Sequence, residues 1–420
     1  MGSERRVVVT GLSAASALGV GRSAHVEGLA SGRIAVADLE DRLGRVPPGR
    51  GGQLDLPRGE FKNYFDQKVL RTATMTRQTT LGCVACGDLM KEAGLEAGGE
   101  HPLRGAYLGS FIVPPDYAKQ FGAMRLLAHR PEGEDRGFVL DDARLAEAMK
   151  KASAFDFLRA LPNMPSSHLS IQAGFQGPGC TYLGSDASGM QAIVMAVGAI
   201  KSALADGMIA GGAFFPFQEV HLSWQQRRGL WSDDGAVRPF AADRSGTLPG
   251  EGAGLLFLED RDAAEARGAT ILGEVVGAAQ RFLPPGDPDE VSLRAEVLRA
   301  ALPVGSPDWI APTALGHGTL DRLEALAWRE AFGADLDRAA AVGLVPQVGF
   351  TGPASGPIQL IAALLSAAGA TEPARSTVVG DADTAPLAAA FGRSAPRGAG
   401  AIVLGSSFSL DGVHAAVAIR

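Results

Sequence analysis
Apolar positions along this chain follow two spacings, and their alternation divides it into strands and helices. Residues 6–12 form an apolar run closed by a glycine turn, which predicts a buried strand, and residues 23–29 predict a first helix. The stretch 31–63 is rich in glycine, proline and charge and reads as surface loop. Residues 76–93 predict an amphipathic helix, and 105–110 a strand ending in small side chains. Between 111 and 160 the pattern loosens into an insertion with a helix near 142–158. Order then returns, with strands at 180–183, 208–213 and 255–259 and a helix at 189–205. A second cycle has strands at 271–279, 309–314 and 343–348, helices at 291–301, 320–332 and 357–368, and closing strands at 400–404 and 413–419. Two half-chains carry one plan, although no strict sequence repeat relates them. Strands alternating with helices predict a largely parallel, helix-covered sheet.

Composition narrows the class of protein. At 420 residues, 46% of them apolar, the chain has ample material for a large core. A net charge of −7 argues against nucleic-acid binding, and no block of like charges suggests a tail. No apolar run approaches the roughly 18 residues of a membrane span, and the first residues lead into a strand, so a cytoplasmic protein is expected. Three cysteines are too few for a disulfide framework in a chain this long. Cys83 and Cys86 have redox spacing but lie inside a predicted helix, with no second cysteine pair and no histidine nearby, and read as buried small residues.

The chemistry concentrates at residues 177–193. A β-prone run meets small turn formers at Gly184 and Ser185, and a helical pattern continues through Ile193, Val197 and Ile200. The first amides of such a helix have no partners and sit at the positive end of its dipole, so the junction can hold a thiolate, an alkoxide or an anion. Asp186 occupies this place. Its plainer reading is a helix cap shared with Ser185.

A set of short words, in order, extends from residue 5 to the C-terminal half. They are Arg-Arg-Val-Val-Val-Thr-Gly-Leu at 5–12, Leu-Pro-Asn-Met at 161–164 with Ser170, Gly-Pro at 177–178 and Ala-Ser-Gly at 187–189. Ala-Gly-Gly-Ala at 210–213, Arg-Pro-Phe at 238–240 with Asp243 and Arg244, Gly-Glu-Gly-Ala-Gly at 250–254 and Leu-Glu at 258–259 continue the set. Together they resemble the β-ketoacyl synthases of the thiolase superfamily. The resemblance implies an α/β thiolase fold, with two pseudo-symmetric βαβαβ halves forming a five-layer αβαβα core. It divides the chain into an N-terminal half, 1–260, carrying the insertion at about 111–160, and a C-terminal half, 261–420.

The same resemblance implies where catalytic groups should stand, and this chain departs from each. The residue before Ala-Ser-Gly is the nucleophilic cysteine of the family, and here it is Asp186. A carboxylate is less nucleophilic than a thiolate, its mixed anhydride would hydrolyse readily, and when ionised it would repel a malonyl carboxylate. The second word falls on residues 313–321 ahead of Glu324. Aligned without a gap it puts Thr313 at the catalytic histidine; aligned with a four-residue deletion it recovers His317, which otherwise reads as a loop or capping histidine. In the third word Val348 replaces a lysine and Pro353 a histidine, and proline cannot donate to an enolate oxygen. The gating aromatic near the C-terminus becomes Leu410, within Ser-Leu-Asp-Gly at 409–412, and two flexible glycines are lost there.

A chain that keeps the fold words and loses the catalytic ones is similar to the chain-length factor, or ketosynthase β, of type II polyketide synthases. That similarity implies no catalytic residue and no activity alone. It implies a heterodimer with an active ketosynthase α, an acyl carrier protein as partner, and no cofactor beyond the carrier's phosphopantetheine. Phe111, Tyr117, Phe121 and Leu126 are candidates for the tunnel floor, with ordinary core as their plainer reading. A typical chain-length factor has glutamine at the Asp186 position, which sets this chain on a divergent branch. Two other readings stay open: a stand-alone decarboxylase or acyltransferase using Asp186 with His317, and an inactive ketosynthase-fold scaffold.

Overall fold
The computed structural model describes residues 5–39, 49–70, 72–111, 128–129, 139–140, 144–151, 154–376 and 378–420. Its first strand, β1 (Val7–Ser16), is buried at all ten positions, and the two-residue β2 (Gly19–Val20) turns back onto it. Helix α1 (Gly21–Ser31) ends at Gly32, whose φ of 65° stops it in the left-handed region where glycine carries little strain. A small hairpin, β3 (Val36–Asp38) with β4 (Arg50–Gly52), lies inside the stretch expected to be loop. Helix α2 (Arg77–Glu92) begins where the Thr76 side chain accepts the Thr79 amide, and β5 (Arg104–Ser110) follows. The described parts of the insertion are the paired β6 (Ala128–His129) and β7 (Val139–Leu140), then α3 (Leu145–Lys151) and α4 (Ala154–Arg159). Next come α5 (Met164–Ala173), β8 (Gly179–Leu183), α6 (Ser188–Lys201), β9 (Gly207–Phe214), α7 (Glu219–Arg227) and β10 (Gly252–Asp260).

The second cycle runs α8 (Arg261–Ala266), β11 (Gly273–Phe282), α9 (Glu290–Ala301), β12 (Trp309–Ala311), α10 (Gly318–Phe332) and β13 (Ala340–Ala341). It closes with α11 (Val345–Val348), α12 (Ser355–Ala367), α13 (Ala385–Ala390), β14 (Val403–Phe408) and β15 (Val413–Ile419). Helix α2 covers the outer face of β1, β9 and β10, with α5 beside it on β5 and β8, whereas α9 covers β11, β14 and β15 with α10 packed against α9. Between the halves lie α6 and α12, touching strands of both. This is the five-layer thiolase arrangement. Every residue of α12 is buried, as a helix enclosed on all sides requires.

Three expectations need correction. The sheet is mixed rather than largely parallel: its order is β13-β12-β14-β15-β11-β1-β10-β9-β5-β8, with β2 beside β1. Parallel pairs occur only among β12, β13 and β14 and among β5, β8 and β9, while the centre is antiparallel. The reason is that β10 returns antiparallel beside both β9 and β1, and β15 beside both β14 and β11. The strand expected at 343–348 is instead one helical turn, because Pro346 has no amide for a ladder and its fixed φ suits a helix start. The strand expected through 314 stops at Ala311 ahead of Pro312, and Ala314 adopts a φ of 53°.

Candidate functional site
Gly184, with φ 87°, turns the chain from β8 towards α6. Ser185 makes the local turn bonds: its Oγ accepts the Ala187 amide at 3.1 Å, and its carbonyl accepts the Ser188 hydroxyl at 2.7 Å. Asp186 therefore serves no capping role. It is 6% exposed, and its Oδ1 has no hydrogen-bond partner among the described residues. Its Oδ2 lies 3.7 Å from Nη1 of Arg228, which follows α7, and Nη2 of the same arginine lies 3.1 Å from Oδ1 of Asp411. The guanidinium stands 4.1 Å from the ring centroid of Trp224, a cation–π arrangement that holds its plane. Burial pushes the Asp186 carboxyl up to about 7; Arg228 opposes the shift and Asp411 reinforces it. The group can thus exchange a proton near neutrality.

The other sequence candidates make backbone and packing contacts. Thr313 Oγ1 accepts the Phe408 amide at 3.0 Å, and the Thr313 and Ala314 amides donate to buried Glu324 at 2.8 and 3.1 Å. His317 is the N-cap of α10, accepting the Leu320 amide on Nδ1, and its ring also hydrogen-bonds to the Gly229 carbonyl. Burial holds its pKa below the usual value, which the Gly229 bond only partly opposes, while Arg244 adds to the lowering. No hydrogen bond joins His317 to Asp186 among the described residues. Val348 is buried in the core between the halves. The Pro353 carbonyl is pressed so closely onto Gly189 and Gly212 that a Cβ at either would stand 1.9 or 2.2 Å from its oxygen. That contact seats the turn before α12 against the first turn of α6.

Leu410 sits in the turn between β14 and β15 and packs with Leu230, Leu315, Leu320, Val345 and Phe350. Phe111 is buried among Phe214, His221 and Trp224, with ring centroids 5.4–5.5 Å away, and so touches the ring that carries Arg228. Tyr117, Phe121 and Leu126 lie outside the described residues. Arg228 and Asp411 were missed in the sequence. Asp411 stood in a word already singled out, but its partner comes from a distant segment and left no local signal. An arginine that follows another arginine at a helix end has none either. Among the described residues no group of three metal-ligating side chains forms, and no helix is long and apolar enough to cross a membrane.

Residues 4–264 match the family described as beta-ketoacyl synthase, N-terminal domain. The chain belongs to the β-ketoacyl synthase family. Within it, the chain is 31% identical over 339 residues to nodulation protein E of Rhizobium sp. (strain N33), covering 79% of this chain and 78% of that one. It is 29% identical over 284 residues to 3-oxoacyl-[acyl-carrier-protein] synthase 2 of Staphylococcus aureus (strain N315), covering 66% and 63%. Among solved structures, the ishigamide ketosynthase/chain length factor superposes with a TM-score of 0.78 at 21% identity, over 99% of both chains. A type II PKS acyl-carrier protein in complex with its ketosynthase gives 0.75 at 20% identity over 100% of both. At such identities these structures establish the shared ketosynthase fold.

Proposed function
We propose that this ketosynthase-fold chain is a non-acylated partner subunit, a chain-length factor that pairs with an active ketosynthase α and helps to shape a polyketide tunnel. The observation that carries the reading is the buried Asp186, tied to Arg228, at the strand–helix junction where the family's sequence words lead to a cysteine nucleophile. Hydrolysis would dissipate any acyl group that reached the carboxylate. Val348 and Pro353 offer no donor to an enolate across the pocket, and Thr313 Oγ1 already accepts a backbone amide. His317 has bonds to Leu320 and Gly229, which favours the partner reading over a stand-alone decarboxylase or acyltransferase that needs it beside Asp186.

Two further points support a partner. Strand β8 is an edge, hydrogen-bonded to β5 alone among the described residues, and presents the half-exposed Leu183. The solved structures that share the fold include a ketosynthase/chain length factor and a ketosynthase bound to an acyl-carrier protein. On this reading the chain needs no cofactor of its own, the substrates travel on the carrier's phosphopantetheine, and Phe111 contributes to the tunnel wall. Co-expression with a ketosynthase that retains cysteine and both histidines tests it. The expected result is a stable mixed dimer that condenses malonyl groups, with intact-mass acyl adducts on the partner only. An acyl adduct on this chain by itself, or no mixed dimer, overturns the proposal.

A further inference from the structure
We propose that Arg228 is a latch that ties the turn between β14 and β15 to the Asp186 junction at the start of α6. The turn has few bonds of its own. The Ser409 amide donates to Val413 at 3.0 Å, and the Gly412 amide reaches the Ser409 carbonyl at 3.4 Å, the long end of the range. Its Gly412 carbonyl accepts the Leu283 amide at 2.9 Å, and Gly412 holds a φ of 85°. Asp411 turns inward, Oδ2 on the Ser409 hydroxyl at 3.1 Å and Oδ1 on Arg228 at 3.1 Å. The base of the turn is fixed elsewhere, where Thr313 Oγ1 accepts the Phe408 amide. The Asp411 amide also donates to Ser409 Oγ at 2.9 Å, so the turn keeps its own shape, and Arg228 is the contact that ties its tip to Asp186.

That cation cannot move away cheaply. Trp224 lies against the guanidinium, Phe111 packs on Trp224, and Arg228 itself is only 16% exposed. On its other side Arg228 faces Asp186, so one cation is shared by two carboxylates that repel each other. Asp411 stands nearer to it than Asp186 does, at 3.1 against 3.7 Å. Leu410 rides on the same turn and is drawn onto Val345 and Phe350. If the chain is the non-acylated subunit proposed above, the latch keeps a carrier arm away from the Asp186 junction; the latch itself rests only on the contacts named here.

Hydrogen exchange on the isolated full chain, read by mass spectrometry on peptides spanning 409–413, tests the latch without a partner or substrate. Asp411→Asn and Arg228→Gln should each speed exchange there by roughly 3- to 10-fold while α12 and β9 stay protected. Asp186→Asn leaves Arg228 wholly to Asp411 and should keep exchange at or below the wild-type rate. Asp411 is exposed enough for its asparagine variant to fold even where Arg228→Gln does not. Unchanged exchange at 409–413 in Asp411→Asn, or a rise spread evenly over the chain, overturns the proposal. Failure of the mixed-dimer test would leave this result untouched, so the two ideas fall separately.

Discussion
At the residue scale, Asp186 has a pH signature of its own. Its folded pKa, about 7, lies above the ordinary carboxylate value of 3.8. Between those pH values the folded chain retains a proton that the unfolded chain has released, so this group's contribution to stability falls as pH rises and levels off above 7. Asp321, pushed up to about 7 by burial despite accepting the Phe240 amide, acts in the same direction. His414, fully buried and depressed to about 3 by burial with Arg294 beside it, acts oppositely: stability is lost as pH falls from 6.5. Comparing a variant with wild type isolates the one group. Asp186→Asn should equal wild type in urea denaturation near pH 4 and exceed it by about 1–3 kcal/mol at pH 8, since Arg228 keeps Asp411 as counterion and no cation is orphaned. A variant less stable than wild type at pH 8 would mean that the Asp186–Arg228 pair outweighs the burial of its charge. Asp186 was legible in the sequence because a known word flanks it. The cause of its altered chemistry was not, since Arg228 and Asp411 come from distant segments and meet only in the folded chain.

At the element scale, most boundaries follow from local chemistry. The period of the apolar positions placed α2, α9, α10 and β15 within about two residues of where they form. Where the reading failed, proline or strand order decided: Pro346 makes a helical turn out of an apolar run, and no local pattern reveals that β10 lies between β1 and β9. Helix α6 shows how one element serves both packing and site. Gly189 in its first turn has the Pro353 carbonyl where a Cβ would stand, 1.9 Å away, whereas Gly198 in its last turn is exposed with nothing within 4 Å. Gly198→Ala should therefore stabilise by about 0.5–1 kcal/mol through helix propensity. Gly189→Ala gains the same propensity but must displace backbone, and a net loss of about 1–3 kcal/mol is expected. Thermal unfolding of the two variants side by side checks the sign of each. Equal effects would mean that the turn carrying Pro353 yields freely and does not fix the start of α6.

At the scale of the whole molecule, the sheet that joins both halves ends at β8 among the described residues. An unpaired edge invites pairing with another chain, and monomers usually blunt it with lysine, proline or a bulge. The residues of β8, Gly-Cys-Thr-Tyr-Leu, contain no charge and no proline, and Leu183 at its end is 41% exposed. Helix α5, packed beside β8, exposes Ile171 at 54%. A second ketosynthase-fold chain docking here would pair the free backbone groups and bury both side chains, and β8 leads directly into the Asp186 junction, so the partner would lie next to the pocket. Leu183→Asp puts a charge into that seam without touching the core of either half. In sedimentation velocity of the co-expressed complex it should shift the population from mixed dimer towards separate chains, weakening association at least about tenfold, while the unfolding midpoint of the isolated chain stays within the small range usual for surface changes. A mixed dimer of undiminished strength would place the partner on another face and remove the edge of β8 from the argument for pairing.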